Sequence, residues 1–176
     1  MKKKYDIFIR PINEKDITED YLSWINDKQV NQYLETRFNQ VSIDELSNYV
    51  SEILKDENVY FFAICLNVSN EHIGNIKIGP INKIHKRGEI GLMIGNKNYW
   101  GKGYGKQSID LVCKFAFKEL KLNKITAGCY STNIASKNAF LKNAFVIEGV
   151  FEHHFIDSNG KWVDLISLSK FNGTFN

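Results

Sequence analysis

A glycine-rich junction between a strand and a helix is the feature that most constrains how this chain can fold. Residues 89–107 read EIGLMIGNKNYWGKGYGKQ. A short apolar strand is predicted at 89–95, and apolar residues at helical spacing begin soon after Gly105. Glycine lets a backbone approach a ligand closely, and the first N–H groups of a helix have no partner within it. With the helix dipole and the flanking Lys102 and Lys106, this pattern indicates a site for a phosphate group.

The remaining segments alternate between strand and helix patterns. Thr18 and the capping box Ser42–Glu45 predict two early helices, and a further helix is predicted at 133–142. Alternating or continuous apolar runs predict strands at 6–12, 59–66, 73–81, 124–130, 145–155 and 161–171. The order β-α-α-β-β-β-α-β-α-β-β predicts an α+β (mixed α/β) fold, with residues 1–176 forming a single domain around one central sheet.

Composition excludes several classes of protein. A chain of 176 residues with 43% hydrophobic content is long enough for one core. It has no apolar run of the ~20 residues that span a bilayer, and Asp6 and Arg10 interrupt any export signal after the N-terminal lysines. The net charge of +3 is spread along the chain rather than gathered in a basic stripe. We therefore expect a cytoplasmic protein that binds neither nucleic acid nor membrane.

The three cysteines carry no recognisable chemistry. Cys65, Cys113 and Cys129 lie in apolar stretches without C-x-x-C spacing, which is typical of reduced core residues. The four histidines are not at ligand spacing from them, so no metal site is predicted.

Two common phosphate-binding motifs do not fit the glycine junction. The dinucleotide fingerprint G-x-G-x-x-G fails because Lys106 occupies the place of its third glycine, and the sequence contains no Gly-Lys-Ser/Thr for a nucleoside-triphosphate loop. A glycine-rich turn without a ligand remains an alternative at this point.

The junction resembles the signature of the GNAT superfamily of N-acetyltransferases, Gln/Arg-x-x-Gly-x-Gly/Ala. Trp100-Gly101-Lys102-Gly103-Tyr104-Gly105 fills it, with Trp100 in place of Gln/Arg. Asn133-Ile134-Ala135-Ser136 and the later Phe140–Phe145 segment resemble the family's downstream signature. The resemblance covers essentially the whole chain, and it is strongest to the branch of ribosomal-protein-alanine and amino-sugar acetyltransferases. It implies a mostly antiparallel twisted sheet of about seven strands with about four helices, splayed between the strands at 89–95 and 124–130.

The resemblance also implies acetyl-CoA as co-substrate and a set of residues that hold it. In the family the pyrophosphate rests on the glycine loop and the pantetheine arm pairs with the preceding strand. Gly91 and Gly95 suit a strand that a ligand backbone approaches closely. The implied cofactor-binding residues are Leu92, Met93, Ile94, Gly101, Lys102, Gly103, Gly105, Lys106 and Asn133.

The implied reaction needs a base and offers a position for an acid. An alkyl ammonium with a pKa near ~10 must lose a proton before it attacks a thioester. Glu89 is the candidate base, although a strand-start glutamate can instead pair with Lys86 or Arg87. The family's tyrosine acid is replaced by Phe140, so Ser136 is the candidate acid, unless its hydroxyl bonds only to backbone.

The acceptor side is less determined. The resemblance places an acceptor pocket between residues 24–38 and the last hairpin, and we expect Trp24, Tyr33, Arg37, His85 and His153 to bind substrate. The predicted function is acetyl transfer to a primary amine of a small molecule, with an amino-sugar nucleotide favoured. A protein N-terminus as acceptor, or a non-catalytic CoA-binding module, are the alternatives. A homodimer is a further expectation.

Overall fold

The computed structural model describes residues 5–173, and its elements follow the predicted order. The strands are β1 Ile7–Pro11, β2 Tyr60–Leu66, β3 His72–Ile78, β4 Arg87–Ile94, β5 Lys124–Tyr130, β6 Val146–Ile156 and β7 Trp162–Phe171. The α-helices are α1 Glu19–Asn26, α2 Ile43–Lys55, α3 Tyr104–Lys118 and α4 Ile134–Leu141. Short 3-10 helices occupy Glu14–Asp16, Glu35–Phe38 and Lys97–Tyr99.

Local signals in the sequence set the helix starts. The Ser42 hydroxyl accepts the Glu45 N–H at 3.3 Å, and the Glu45 carboxylate accepts the Ser42 N–H at 2.7 Å, so both halves of the predicted capping box form. Thr18 caps α1 in the predicted place by accepting the Tyr21 N–H. The predicted strand 73–81 ends earlier, at Ile78, because Pro80 has no N–H for a ladder.

The seven strands form one sheet in the order β1-β2-β3-β4-β5-β7-β6. Every neighbouring pair is antiparallel except β4 and β5, which run parallel. The predicted mixed α/β fold with a single, mostly antiparallel seven-stranded sheet and four helices is confirmed.

Strands β4 and β5 separate after three residue pairs. Their register joins Arg87 to Lys124, Gly88 to Ile125 and Glu89 to Thr126, and no further pair is formed between them. Residues 90–94 and 127–130 therefore line a gap, which we call the wedge. Its closed end lies at Glu89 and its open end at the carboxyl ends of both strands, so the predicted splay is confirmed.

Apolar clusters cover both faces of the sheet. On one face, called the α3 face, Ile76, Ile90 and Ile125 of the sheet share a cluster with Ile109 of α3 and Phe140 of α4. On the other face, called the α1 face, Tyr21 and Trp24 of α1 share a cluster with Leu46 and Val50 of α2 and with Phe61 of β2. Side chains alternate along a strand, so β4 turns Leu92 and Ile94 toward the α3 face and Glu89 and Met93 toward the α1 face.

The cysteines lie where the sequence predicts. All three are free and buried, and burial raises the pKa of the Cys113 thiol to about 12. Within residues 5–173, none of the helices has the length and apolar character needed to cross a bilayer.

Candidate active site

The glycine loop at the end of β4 has the geometry of an anion cradle. Gly101 and Gly103 have φ values of +74° and +80°, a region that side-chain-bearing residues rarely adopt. A β-carbon built on either would meet no atom within 4 Å, so the loop has open space beside it. Gly103 precedes α3 without any side-chain cap. The first N–H groups of α3 therefore receive no side-chain cap, an arrangement that suits an anion.

Aromatic side chains hold this loop in place. The Trp100 indole N–H donates to the Ile94 carbonyl at 2.7 Å, and the Tyr99 hydroxyl donates to Glu71 at 2.6 Å. The Lys102 ammonium lies 4.9 Å from the centre of the Tyr99 ring. Trp100, the residue that departs from the family signature, thus fixes the loop to the end of β4.

Gly105 has a different role from the other two loop glycines. A β-carbon there would lie 3.5 Å from Leu92 Cδ1, so this glycine brings the first turn of α3 close to β4. The predicted cofactor residues Leu92 and Ile94 consequently pack under α3, whereas Met93 packs against the cluster on the α1 face.

A second helix begins at the β5 side of the wedge. Asn133 caps α4 by accepting the Ser136 N–H at 3.1 Å. None of the hydrogen bonds found among residues 5–173 uses the half-buried Ser136 hydroxyl. Because β4 and β5 are parallel, the helices that follow them both begin at the open end of the wedge. The structure therefore brings Asn133 and Ser136 to the same end as the glycine loop.

The position of the family's tyrosine belongs to the core. Phe140 is 1% exposed and packs edge-to-face on Phe145, with ring centres 5.0 Å apart. Nearby, the buried Asn143 amide donates to the Lys106 carbonyl at 3.0 Å and to the Ala139 carbonyl at 2.8 Å, which ties α4 to the first turn of α3.

Glu89 lies at the closed end of the wedge, on the α1 face. It belongs to the last residue pair between β4 and β5, and its side chain is exposed. A β-carbon built on Gly128 of β5 would lie 3.8 Å from Glu89 Oε1, so the carboxylate extends along the β5 side of the wedge. Among the described residues Glu89 forms no ion pair, so the alternative of pairing with Lys86 or Arg87 is not what the structure shows.

The structure separates the five predicted substrate residues. Tyr33 and Arg37 lie together against Tyr130, at the end of β5. His153 lies in a bulge of β6, where its φ is +50° and its N–H donates to Asp164 at 3.0 Å.

Trp24 and His85 lie elsewhere. Trp24 is 8% exposed within the core of the α1 face, and His85 is exposed in the turn before β4, at the closed end of the wedge. Neither residue lies beside Tyr33, Arg37 or His153. Trp24 packs near the end of β4, and His85 lies before the beginning of β4. Gly95 also differs from its prediction: a β-carbon there would lie 2.1 Å from Trp24 Cδ2, so this glycine makes room for the indole.

The sequence analysis does not single out three residues that lie near the wedge, Glu35, Tyr130 and Phe155. Tyr130 is buried and stacks on Phe155 with ring centres 4.0 Å apart, and the Tyr130 hydroxyl lies 3.5 Å from Glu35. These residues meet only through sheet register and the β6 bulge, so no local pattern indicates them.

Comparison with known proteins identifies the family. The acetyltransferase (GNAT) domain family matches residues 6–146. The chain belongs to the GNAT acetyltransferase family. Its enzyme class is that of an acetyl-CoA-dependent N-acetyltransferase, as predicted.

Individual relatives resemble the acetyltransferase along most of its length. A Bacillus subtilis protein named "Probable N-acetyltransferase YjcK" is 27% identical over 175 residues, covering 93% of each chain. The structure of a GNAT-family acetyltransferase from Bacillus anthracis has a TM-score of 0.81 and 25% identity, covering 96% of each chain. A Vibrio cholerae spermidine N-acetyltransferase, solved with CoA and spermine, shares the fold with a TM-score of 0.83 at 22% identity, covering 94% of this chain and 95% of that one.

Proposed function

We propose that the chain acts as one catalytic domain that transfers the acetyl group of acetyl-CoA to a primary amine of a small molecule. The wedge carries this proposal. It has an open anion cradle at its mouth and an unpaired carboxylate, Glu89, at its closed end. Donor and acceptor would bind together and react directly.

The donor side of the wedge suits acetyl-CoA. The amides at the start of α3, with Lys102 and Lys106, would hold the pyrophosphate. Between residues 90 and 94, the edge of β4 that faces β5 has no strand partner, so its backbone groups are available to the amides of the pantetheine arm. Leu92, Met93 and Ile94 contribute this edge, and Asn133 stands across the wedge from it.

Glu89 would serve as the base of the reaction. It takes a proton from the acceptor ammonium, and the neutral nitrogen forms a bond to the acetyl carbon while the carbon–sulfur bond breaks. The nitrogen loses its second proton as the amide forms, and the leaving thiolate takes up one proton. The Ser136 hydroxyl is our candidate donor to the thiolate, and it regains a proton from the one that the nitrogen releases. A backbone N–H of β4 near Met93 would stabilise the developing negative charge on the carbonyl oxygen. We propose that the transfer needs no metal.

Charge at the acceptor side favours a cationic amine over an amino-sugar nucleotide. Two exposed carboxylates lie along this side. Glu89 is at the closed end of the wedge, and Glu35, whose side chain is 77% exposed, is at the open end, 3.9 Å from the Arg37 guanidinium. The Arg37 guanidinium, which could bind a nucleotide phosphate, is 7% exposed and already donates to two backbone carbonyls. A small amine with a second positive charge therefore fits this side better. The spermidine N-acetyltransferase that shares the fold supports testing polyamines first.

We also propose that two copies of the chain associate through the β6–β7 hairpin. Seven of the seventeen large apolar side chains exposed among residues 5–173 lie on these two strands: Val146, Ile147, Val150, Phe151, Ile156, Trp162 and Phe171. Because side chains alternate along a strand, these residues expose apolar surface on both faces of the hairpin. Strand β6 forms the edge of the sheet beyond β7, so a second copy of the chain can approach it from outside.

We propose the cytoplasm as the place of action. The three free, buried thiols support a reducing compartment. Fractionation of the host cell would test this, and recovery of the protein outside the cytoplasm would contradict it.

An amine panel tests the proposed function. The purified chain is incubated with acetyl-CoA and linear diamines, polyamines, amino sugars and peptides, and both thiol release and the mass of the acetylated product are measured. We expect Glu89→Gln to lower kcat about 100-fold or more, because general base catalysis typically contributes 10²–10⁴. The matched control is Glu57→Gln, at an exposed carboxylate beyond α2.

Each part of the proposal can fail separately. Absence of acetylated product with every amine would contradict acetyl transfer and favour a CoA-binding module. Full activity of Glu89→Gln at every pH would contradict the assignment of the base only.

A further inference from the structure

Residues 27–38, which we call the strap, cross the wedge on the α1 face. The loop that contains them is closed at its base by the Asn26 amide, which donates to the Val41 carbonyl at 2.8 Å and accepts the Val41 N–H at 2.9 Å. On the β4 side, the Lys97 ammonium donates to Asp27 at 2.5 Å and to Gln29 at 3.1 Å. The strap is thus attached just beyond the end of β4.

The other end of the strap is attached beyond β5. The Tyr33 hydroxyl donates to the Thr132 carbonyl at 3.3 Å, and Arg37 Nη2 donates to the Ile156 carbonyl, at the end of β6, at 2.6 Å. Because the two attachments lie on opposite sides of the wedge, the segment between them spans its mouth.

Arg37 is the centre of the second attachment. Its side chain is 7% exposed, and Nη1 also donates to the Leu34 carbonyl at 3.0 Å. The guanidinium lies 4.1 Å from the centre of the Phe38 ring and 5.1 Å from that of Tyr130. An arginine with these contacts holds its neighbours through a planar, fixed set of donors, which a lysine does not have.

A bulge in β6 completes the packing around Arg37. Phe151 pairs with Leu165 and Phe155 with Val163, so β6 has two more residues than β7 between these pairs. His153 adopts a left-handed conformation within the bulge. The bulge presents Phe155 parallel to Tyr130, with an angle of 10° between the rings. A strained, non-glycine residue of this kind persists only where the surrounding structure maintains it.

We propose that Arg37 is a positioning residue that holds the strap across the wedge and thereby restricts the acceptor to slender primary amines. This inference rests on the proposed function and deepens it. Tyr33 and Glu35 of the strap lie beside Tyr130, at the open end of the wedge. On this proposal an acceptor enters along the α1 face at that end and passes the strap before it reaches Glu89 at the closed end. A linear alkyl amine can do so, whereas the N-terminus of a bulky chain is hindered.

Kinetics with two acceptors test this role. For Arg37→Gln we expect the KM of a short linear diamine to rise about tenfold, because two hydrogen bonds from a charged group are lost. We expect kcat to change less than about twofold and the KM of acetyl-CoA to stay unchanged. The second acceptor is a peptide amide with a free N-terminus. The value of kcat/KM for this peptide, divided by the value for the diamine, should rise at least about fivefold.

Two further variants separate position from charge. Arg37→Lys keeps the charge but not the planar set of donors, so it should resemble Arg37→Gln rather than the wild type. Arg87→Gln makes the matched change at an exposed arginine at the closed end of the wedge and should behave as the wild type. The proposal would be overturned if Arg37→Gln left the peptide-to-diamine ratio of kcat/KM unchanged. It would also be overturned if the KM of acetyl-CoA rose as much as the KM of the diamine.

Amide hydrogen exchange provides a second readout that needs no acceptor. In Arg37→Gln, exchange at residues 31–38 should become about tenfold faster or more, while α2 remains as protected as in the wild type. Unchanged exchange in the strap would overturn the proposal. If the wild type acetylates no amine, the proposed function fails, and the exchange result still decides whether Arg37 holds the strap.

Discussion

At the scale of single residues, Ala144 adopts a backbone conformation that has an energetic cost. It follows α4 with φ of +60°, in the left-handed region where glycine commonly ends a helix. A residue with a side chain is strained by about 1–2 kcal/mol in this conformation. The free-energy cost of the backbone entropy that glycine loses on folding is smaller, roughly 0.5–1 kcal/mol relative to alanine.

We therefore expect Ala144→Gly to raise the free energy of unfolding by about 0.5–1 kcal/mol. Urea denaturation with an unchanged m value would measure this. Ala139→Gly, within α4, is the matched control and should lower the free energy of unfolding by about 1 kcal/mol. A destabilised Ala144→Gly variant would show that the strain is not relieved.

Glycines also show what a sequence does not reveal about a residue's role. Gly91 and Gly95 both suit a strand approached by a ligand, yet only Gly91 has room for a β-carbon, with Lys77 the nearest residue at 3.7 Å. Gly95 faces the Trp24 indole instead. Since Trp24 comes from α1, nothing near Gly95 in the sequence could indicate this contact.

At the scale of elements, local chemistry made most of the fold predictable. The starts of α1 and α2 follow from side chains that cap neighbouring N–H groups, and strands β5 and β7 follow from apolar patterns that the sheet then buries. The glycine loop was predictable for the same reason, because strand, glycines and helix are contiguous. The splay of β4 from β5 came only from the family resemblance, since the register of parallel strands has no local signal.

The acceptor side was the least predictable part. Tyr33 and Arg37 lie together at the end of β5, but the Arg37 guanidinium is occupied by backbone carbonyls and aromatic rings. Its partner Tyr130 stacks on Phe155, which is placed by a bulge in β6 nearly 120 residues from Arg37 in the sequence. His85 lies at the closed end with Glu89, away from Tyr33 and Arg37, because β4 runs from the closed end to the open end.

At the scale of the whole molecule, the exposed hairpin predicts self-association. We expect the wild type to be a dimer by light scattering at micromolar concentration and Phe151→Glu to be monomeric, because an unpaired charge would be buried in the interface. Val68→Glu, at a side chain 92% exposed in a turn, should remain dimeric. A monomeric wild type would contradict the proposed interface.

The wedge as the acetyl-CoA site is the central claim, and hydrogen exchange with and without acetyl-CoA tests it most directly. The amides of residues 92–94 in β4 and those at the start of α3 should exchange more slowly when acetyl-CoA is present, because the donor covers both. The turn before β4, with His85, should exchange at the same rate in both conditions. Slower exchange confined to that turn, or no change at the glycine loop, would contradict the account.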